Sequence, residues 1–283
     1  MEYGAHLPLL DLGSPPTLRG LRAYAATAAG CGYRHLCAND HLFFSRPWLD
    51  GPTALAAVIG ESGDMTLATT VALPVVRGPA PLAKALAALD VLSGGRVLAG
   101  VGAGSSARDY AAAGVPFEER WRRFDAALPA LRELLYGDEL QPRPVQSPGP
   151  PIWVASWGSP AGLRRVARHG DGWLASVYNI TPERLREAVS ALPPMPNGLA
   201  TGWLCVTEDA AGAERVLAEV LAPLVGRPVE QLRSLSLPIG PAEVCAERLR
   251  AFADAGAERM FLWPLRDPVG QLELFMERVA PLV

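Results

Sequence analysis

Residues 66–105 read TLATTVALPVVRGPAPLAKALAALDVLSGGRVLAGVGAGS. The run Met65–Val71 is rich in β-branched and small residues and fits a buried strand. Pro79–Leu92 is an Ala/Leu-rich helical pattern that opens on proline and stops at Gly94-Gly95, where a left-handed cap is needed. Arg96–Gly102 returns to a strand pattern. Strand, crossover helix and strand in that order are the signature of a parallel sheet.

The same alternation continues in both directions. Further strands are expected at Glu2–Pro8, Tyr33–Ala38, Ile152–Ser156, Gly172–Ser176, Leu199–Val206 and Glu258–Trp263. Further helices are expected at Thr17–Gly30, Gly51–Glu61, Phe117–Tyr136, Pro160–His169, Pro182–Leu192, Ala210–Val225, Pro241–Ala255 and near Pro268–Val279. Several open on a small residue and proline, as at Ser159-Pro160, Thr181-Pro182 and Gly240-Pro241. Gly30-Cys31-Gly32, Gly170 and Gly256 are further stops where a left-handed cap is expected. Gln141–Pro151 (QPRPVQSPGPP) carries too many prolines for a helix or central strand and is read as a connection between the two halves of the barrel. Eight such strands specify an α/β fold, a (β/α)8 TIM barrel, and residues 1–283 are expected to form a single domain of that kind.

Composition narrows the function. The chain is 49% hydrophobic and 19% charged, enough apolar surface for a large core. Its net charge of −3 and the lack of a basic stripe argue against nucleic acid, whose phosphates require clustered Lys and Arg. No stretch approaches the roughly 20 apolar residues of a membrane span, and MEYGAHLPLL lacks a basic segment ahead of a long apolar core, so a cytoplasmic protein is expected. Cys31, Cys37, Cys205 and Cys245 form no CxxC pair and read as buried reduced thiols. The histidines are scattered, and no metal site is expected.

In a parallel barrel the residues that follow the strands converge on one mouth. After the second strand come Asn39, Asp40 and His41, then Phe43, Phe44 and Trp48. The third ends in Thr69-Thr70-Val71, and the fourth runs into Gly100–Ser106. Ser156-Trp157-Gly158-Ser159 follows the fifth, the sixth carries Trp173 and leads to Tyr178, and Ile239-Gly240 belongs to the seventh or eighth unit. Aromatic rings and glycines gathered at a rim are locally unfavourable unless a ligand meets them. Gly100–Ser105 is no dinucleotide fingerprint, because Ser105 stands where GxGxxG needs its third glycine; the small residues either let a planar ring lie close to backbone or form a tight turn. Ser156–Ser159 ahead of the Pro160 helix suits an anion at a helix N-terminus, or Ser159 caps its own helix. Asp40-His41 is an acid–imidazole pair or a solvated turn. His35 reads as core and His169 as a helix-end residue.

Taken together, R-x-P-A-x-L-A-K, L-D-x-L-S-G-G-R and G-x-G-A-G in the opening stretch resemble the bacterial luciferase-like monooxygenase family, whose members are flavin- or F420-dependent oxidoreductases. GVPFEERWRRFDAALPALREL, PPIWVASWGSPAGLRRVARHGDGW and IGPAEVCAERLRAFADAGAERMFL continue the likeness, which runs from Tyr3 to about Trp263. The resemblance implies a barrel with a flavin or deazaflavin ring in its mouth. On it, Asp40 and His41 match an acidic-His pair near the reactive edge of the ring, the catalytic candidates, and Asp40 is a cofactor-binding candidate as well. Thr70-Val71 matches a bulge that is often a non-prolyl cis peptide backing the ring. Gly102, Ala103, Gly104 and Arg108 match the stretch lining ring and side chain, and Ala155, Ser156, Gly158 and Ser159 match the phosphate loop. Asp109 matches a later acid, whereas Ser105 and Ser106 stand where many relatives have an earlier one.

The segment after the sixth strand, Tyr178–Gly198, is short beside members with a long lid, which weakens water exclusion over the ring. Hydride transfer with reduced coenzyme F420 to a small apolar organic substrate is therefore the leading expectation, with His41 handling the proton. An FMN-dependent monooxygenase using reduced flavin and O2 is the alternative, and a non-catalytic flavin-binding protein the third reading. Phe43, Phe44, Trp48, Trp157, Trp173 and Tyr178 are the substrate-pocket candidates. The resemblance also implies a homodimer.

Overall fold

The computed structural model describes residues 1–283 and contains nine strands: β1 (Glu2–His6), β2 (His35–Ala38), β3 (Thr66–Thr69), β4 (Val97–Val101), β5 (Ile152–Ala155), β6 (Gly172–Ser176), β7 (Asn197–Val206), β8 (Ile239–Gly240) and β9 (Arg259–Pro264). All pairings between them are parallel. The ladder runs β6-β5-β4-β3-β2-β1-β9-β7, and a further β6–β7 pairing closes it into an eight-stranded barrel. β8 lies outside the ring and pairs only with Cys205 and Val206 at the end of β7. The structure is thus a closed (β/α)8 TIM barrel, with all eight expected strands in the ring.

Alternation of side chains divides the apolar residues. Cys37, Ala68, Leu98, Trp153, Leu174 and Phe261 form the plug inside the barrel. A larger cluster, including Leu36, Leu67, Ile152 and Val154 from the strands and Leu82, Leu86, Phe124 and Leu131 from the helices, fills the layer between sheet and helices. Gly172 is required by the plug, because a Cβ there would lie 2.5 Å from the Trp153 indole. Below the plug, His35 meets Glu2 at 3.1 Å and Arg259 lies 5.1 Å over Trp153, so His35 is part of the barrel floor.

The helices follow the expected pattern with local differences. Gly94 takes the left-handed cap (φ 70°), as do Gly32 (φ 85°) and Gly256 (φ 98°) in their turns, but Gly170 ends its helix extended at φ −94°. There the backbone passes directly into β6 and needs no reversal. Ala210–Val225 is interrupted by a π segment, Leu217–Leu221. Three short helices, Pro74–Arg77, Ala107–Ala112 and Val229–Arg233, escape a periodicity reading because each is too brief to show a repeat. The proline-rich connection is anchored. The buried Asp90 carboxylate accepts from Val145 N (2.8 Å), Gln146 N (3.0 Å) and Gln146 Nε2 (2.7 Å), which ties this stretch to the helix before β4. All four cysteines are free, Cys31 half-buried and the others buried.

At the other end of the barrel, β7 contains an irregularity. Leu199 pairs with Met260 and Gly202 with Leu262, so β7 spends one residue more than β9 over the same span. This bulge carries Thr201 at φ 59°, a left-handed conformation that β-branched residues rarely adopt.

His6, the last residue of β1, is buried and neutral. Its Nδ1 donates to Leu7 O (2.8 Å), its Nε2 accepts from Asn39 N (3.1 Å), and its ring stacks on Trp263 at 3.6 Å. Burial pushes its pKa down to about 3. Below pH 6.5 the unfolded chain binds a proton that the folded chain refuses, so this group's contribution to stability is present at pH 7 and lost as pH falls toward 3. Between pH 7 and pH 5 the loss is roughly 2 kcal/mol. Denaturant unfolding of His6→Gln should show a correspondingly shallower fall over that range; equal slopes for variant and wild type would refute the assignment.

Candidate active site

Backbone hydrogen bonds bring the strand ends together. Thr70 N donates to Ala38 O (2.7 Å), Ala72 N to Gly100 O (2.9 Å), Gly102 N to Ala72 O (3.0 Å) and Ser156 N to Leu174 O (2.9 Å). Asp40, Thr70, Gly102 and the Ser156 loop therefore share one rim.

The acid–base pair differs from the expected one. Asp40 is buried, and both its oxygens are taken by Arg77, through Nε (2.6 Å) and Nη2 (2.7 Å). Arg77 also binds Asp50, and hydrogen bonding to Asp40 raises its pKa further. Burial works against ionisation of Asp50, but bonds from Thr53 and Arg77 outweigh it and hold the carboxyl below its ordinary value. Asp40 is thus engaged by Arg77 and does not pair with His41, the partner expected from its place in sequence. Neighbours along an extended segment point apart, so adjacency in sequence does not make a pair.

The carboxylate on His41 is Asp109, with Oδ2 at 2.8 Å from Nδ1. Asp109 sits in the first turn of the helix Ala107–Ala112, whose N-cap, Ser106, accepts from Asp109 N at 3.2 Å. Its other oxygen accepts from Phe43 N (2.8 Å). A carboxylate can only accept here, so Nδ1 carries the hydrogen and Nε2 is left with no protein partner. Ser106 and Asp109, spaced as a cap and its third residue, mark a helix start in the sequence but carry no sign of the pairing with His41.

The remaining candidates form a shallow cradle that suits a planar ring. The Thr70-Val71 peptide is cis. A Cβ on Gly102 would lie 2.7 Å from Val71 Cγ2 and 3.4 Å from Ala155 Cβ, so bare backbone, Val71 and Ala155 make one small-residue floor, with Ala103 and Gly104 (φ 79°) continuing it. Thr70 Oγ1 and Asn39 Oδ1 are buried beside it without a partner. Such atoms are costly unless a ligand or water meets them, and the fit to a flavin or deazaflavin is good on this ground. At Ser156–Ser159, Ser159 Oγ caps its own helix by accepting from Gly162 N (3.2 Å), while Ser156 Oγ accepts from Gly158 N (3.2 Å). The N–H groups of Trp157, Ser159 and Ala161 have no acceptor in the chain and could hold a phosphate. Arg108 is exposed at the rim, its guanidinium 5.0 Å from the Phe43 ring centre.

Aromatic rings wall the mouth. His41 packs on Phe44 (5.2 Å) and Trp48 (4.9 Å), and Trp48 meets Trp263 edge-on at 5.4 Å. Trp203 stacks on Trp263 at 4.2 Å. His6 stacks on the same ring, and two rings that close cannot share a face, so Trp263 is sandwiched between them. Trp48 is fixed by an antiparallel bridge to Leu10. Phe43 and Trp157 are exposed at the rim, and Tyr178 lies under the Arg227 guanidinium at 3.8 Å.

Trp173 is a correction. It is fully buried, its indole donates to Ser156 O (3.1 Å), and it lies on the opposite face of β6 from Leu174, in the helix layer. A strand offers only alternate residues to the mouth. His6, Trp203, Trp263, Arg77 and the pairing of Asp109 with His41 were not foreseen. Trp203 and Trp263 lie within expected strands, but their inward orientation depends on the bulge and on register.

No helix is long and apolar enough to cross a membrane. Residues 5–226 match the family model described as luciferase-like monooxygenase. Over 305 residues the chain is 28% identical to an F420-dependent hydroxymycolic acid dehydrogenase of Mycobacterium tuberculosis, with 92% of this chain and 83% of that protein covered. An F420-dependent secondary alcohol dehydrogenase solved with an F420-acetone adduct superposes with a TM-score of 0.84 at 17% identity, covering 100% of this chain and 99% of the other. A monooxygenase from Streptomyces bottropensis gives a TM-score of 0.82 at 21% identity, with 99% of each chain covered. At these identities the structural likenesses speak for the fold alone, while the match to the family model spans most of the barrel and its mouth. The chain belongs to the luciferase-like monooxygenase family.

Proposed function

We propose that the protein is an oxidoreductase that uses reduced coenzyme F420 to transfer a hydride to a small apolar organic substrate. The observation that carries the reading is the His41–Asp109 pair, with Nε2 of His41 unpartnered on the same rim of the barrel as the small-residue cradle. Val71, Gly102, Ala103, Gly104 and Ala155 would hold the ring, with Thr70 and Asn39 offering the unpartnered polar atoms. The free backbone N–H groups of Trp157, Ser159 and Ala161 would hold the phosphate, with Ser156 and Gly158 shaping the loop that presents them, and Arg108 would lie near the polar tail. When bound, the reduced deazaflavin supplies a hydride.

The chain's own residues manage the proton. Asp109 fixes the imidazole orientation through Nδ1, and Nε2 of His41 delivers a proton to the heteroatom or carbon next to the reduced centre. Asp40 and Arg77 keep the segment that carries His41 in place. Only Val177–Thr181 separates β6 from the helix Pro182–Ala191, too little chain for a broad lid. That favours hydride transfer over oxygen activation, which demands water exclusion. Residues 1–283 act as one catalytic domain in this proposal, and the active form is a homodimer.

Fluorescence titration with F420 and with FMN tests the cofactor. Tight binding of F420 and weak binding of FMN is expected, and the reverse preference would make the protein a flavin monooxygenase; failure of both would end the redox reading. His41→Ala should lower turnover by about 100-fold while leaving the cofactor titration nearly unchanged. Full activity in that variant would remove His41 as proton carrier. Gly158 has φ 81°, so Gly158→Leu strains the loop and should weaken cofactor binding; an unchanged titration curve would take this loop out of the phosphate site.

A further inference from the structure

We propose that Trp203 is a specificity-determining residue whose indole N–H donates a hydrogen bond to an oxygen of a neutral, apolar substrate. The inference deepens the redox reading by naming the substrate class.

Three observations support it. The bulge in β7 decides which way Trp203 points. Gly198 and Ala200 pair with the inward residues Leu174 and Ser176, so strict alternation would turn Trp203 outward. The extra residue reverses this: Gly202 faces the helix layer, where its Cβ would meet Met260 Sδ at 3.2 Å, and Trp203 pairs with Trp263 in the mouth. Thr201 supplies that residue in a left-handed conformation unfavourable to its branched side chain, so the inward indole is maintained against local preference.

Next, Trp203 is 5% exposed and its Nε1 is buried with no acceptor, and Trp48 Nε1, packed on the same Trp263 ring, is in the same state. Trp173, on the outer face of the barrel, has its own N–H satisfied by Ser156 O. The two mouth indoles therefore carry N–H groups that the fold leaves unbonded but covered, so a substrate oxygen reaches them when the stacked rings shift to admit it.

Finally, the carboxylates nearby are already matched. Asp40 and Asp50 share Arg77, and Asp109 holds His41. What the wall lacks is an uncharged acceptor, and its apolar rings suit a hydrocarbon frame bearing a carbonyl, hydroxyl or ether oxygen. A site built to bond that oxygen rejects the analogue without it, because the N–H is then stranded.

The test uses the full-length protein saturated with whichever of F420 or FMN it binds, or alone if it binds neither. Calorimetric titration compares 1-tetralone, which has a ketone oxygen, with tetralin, the hydrocarbon of similar shape. Wild type should prefer tetralone by roughly tenfold. Trp203→Phe, which keeps an aromatic ring and loses the N–H, should bring tetralone down to the tetralin level with tetralin binding and cofactor titration unchanged. Thr201→Gly, which relieves the left-handed residue but keeps the bulge, should retain the preference. An equal preference in Trp203→Phe, no preference in wild type, or a selective loss of cofactor binding in Trp203→Phe would each overturn the proposal. If neither cofactor binds but the tenfold preference and its loss in Trp203→Phe are seen, the redox reading fails while this one stands.

Discussion

Closure of the parallel ladder is the constraint on which everything else rests. A parallel strand satisfies its backbone only through neighbours on both sides, and the pairings β6–β7 and β1–β9 leave none of the eight ring strands with a free edge. Once every strand runs the same way around a ring, the residues following them have no choice but to meet. Chemistry drawn from residues as distant as His41 and Asp109 follows from that geometry.

Within the mouth, polar groups fall into two populations. Asp40, Asp50, Arg77, Asp109 and His6 are bonded within the chain and hold the walls. Thr70, Asn39, Trp48, Tyr178 and Trp203 carry buried polar atoms with no protein partner. The first group gives rigidity, and the second is what the proposed substrate reading draws on for recognition. Burial also pushes the Tyr178 hydroxyl up from its ordinary pKa, so it stays a neutral donor. On the proposed reading, a mouth of this kind selects by shape and by the placing of acceptors more than by charge.

The barrel was legible because each of its eight ring strands is bounded by turn chemistry that a single sequence displays, from Gly94-Gly95 to Gly256. Most of the cradle was legible through the family resemblance, since Gly102 and Gly158 keep their place relative to strand ends. Pairing was harder to read. Asp40 stands next to His41 yet serves Arg77, because consecutive residues point apart, while Asp109 reaches His41 across 68 positions. Trp173 was misplaced for the same reason that Trp203 was missed. Both depend on the face a residue takes, and an extra residue in β7 inverts that face where nothing in local composition marks it.

Arg77 grips Asp40 and Asp50 at once. The two carboxylates bracket the stretch that carries Phe43, Phe44 and Trp48, so a single guanidinium clasps both feet of one loop. Substitutions between those feet can reshape the entrance while the barrel beneath keeps its register. Selectivity can therefore drift during evolution through this exchangeable cassette, with the His41 imidazole at its root still held by Asp109.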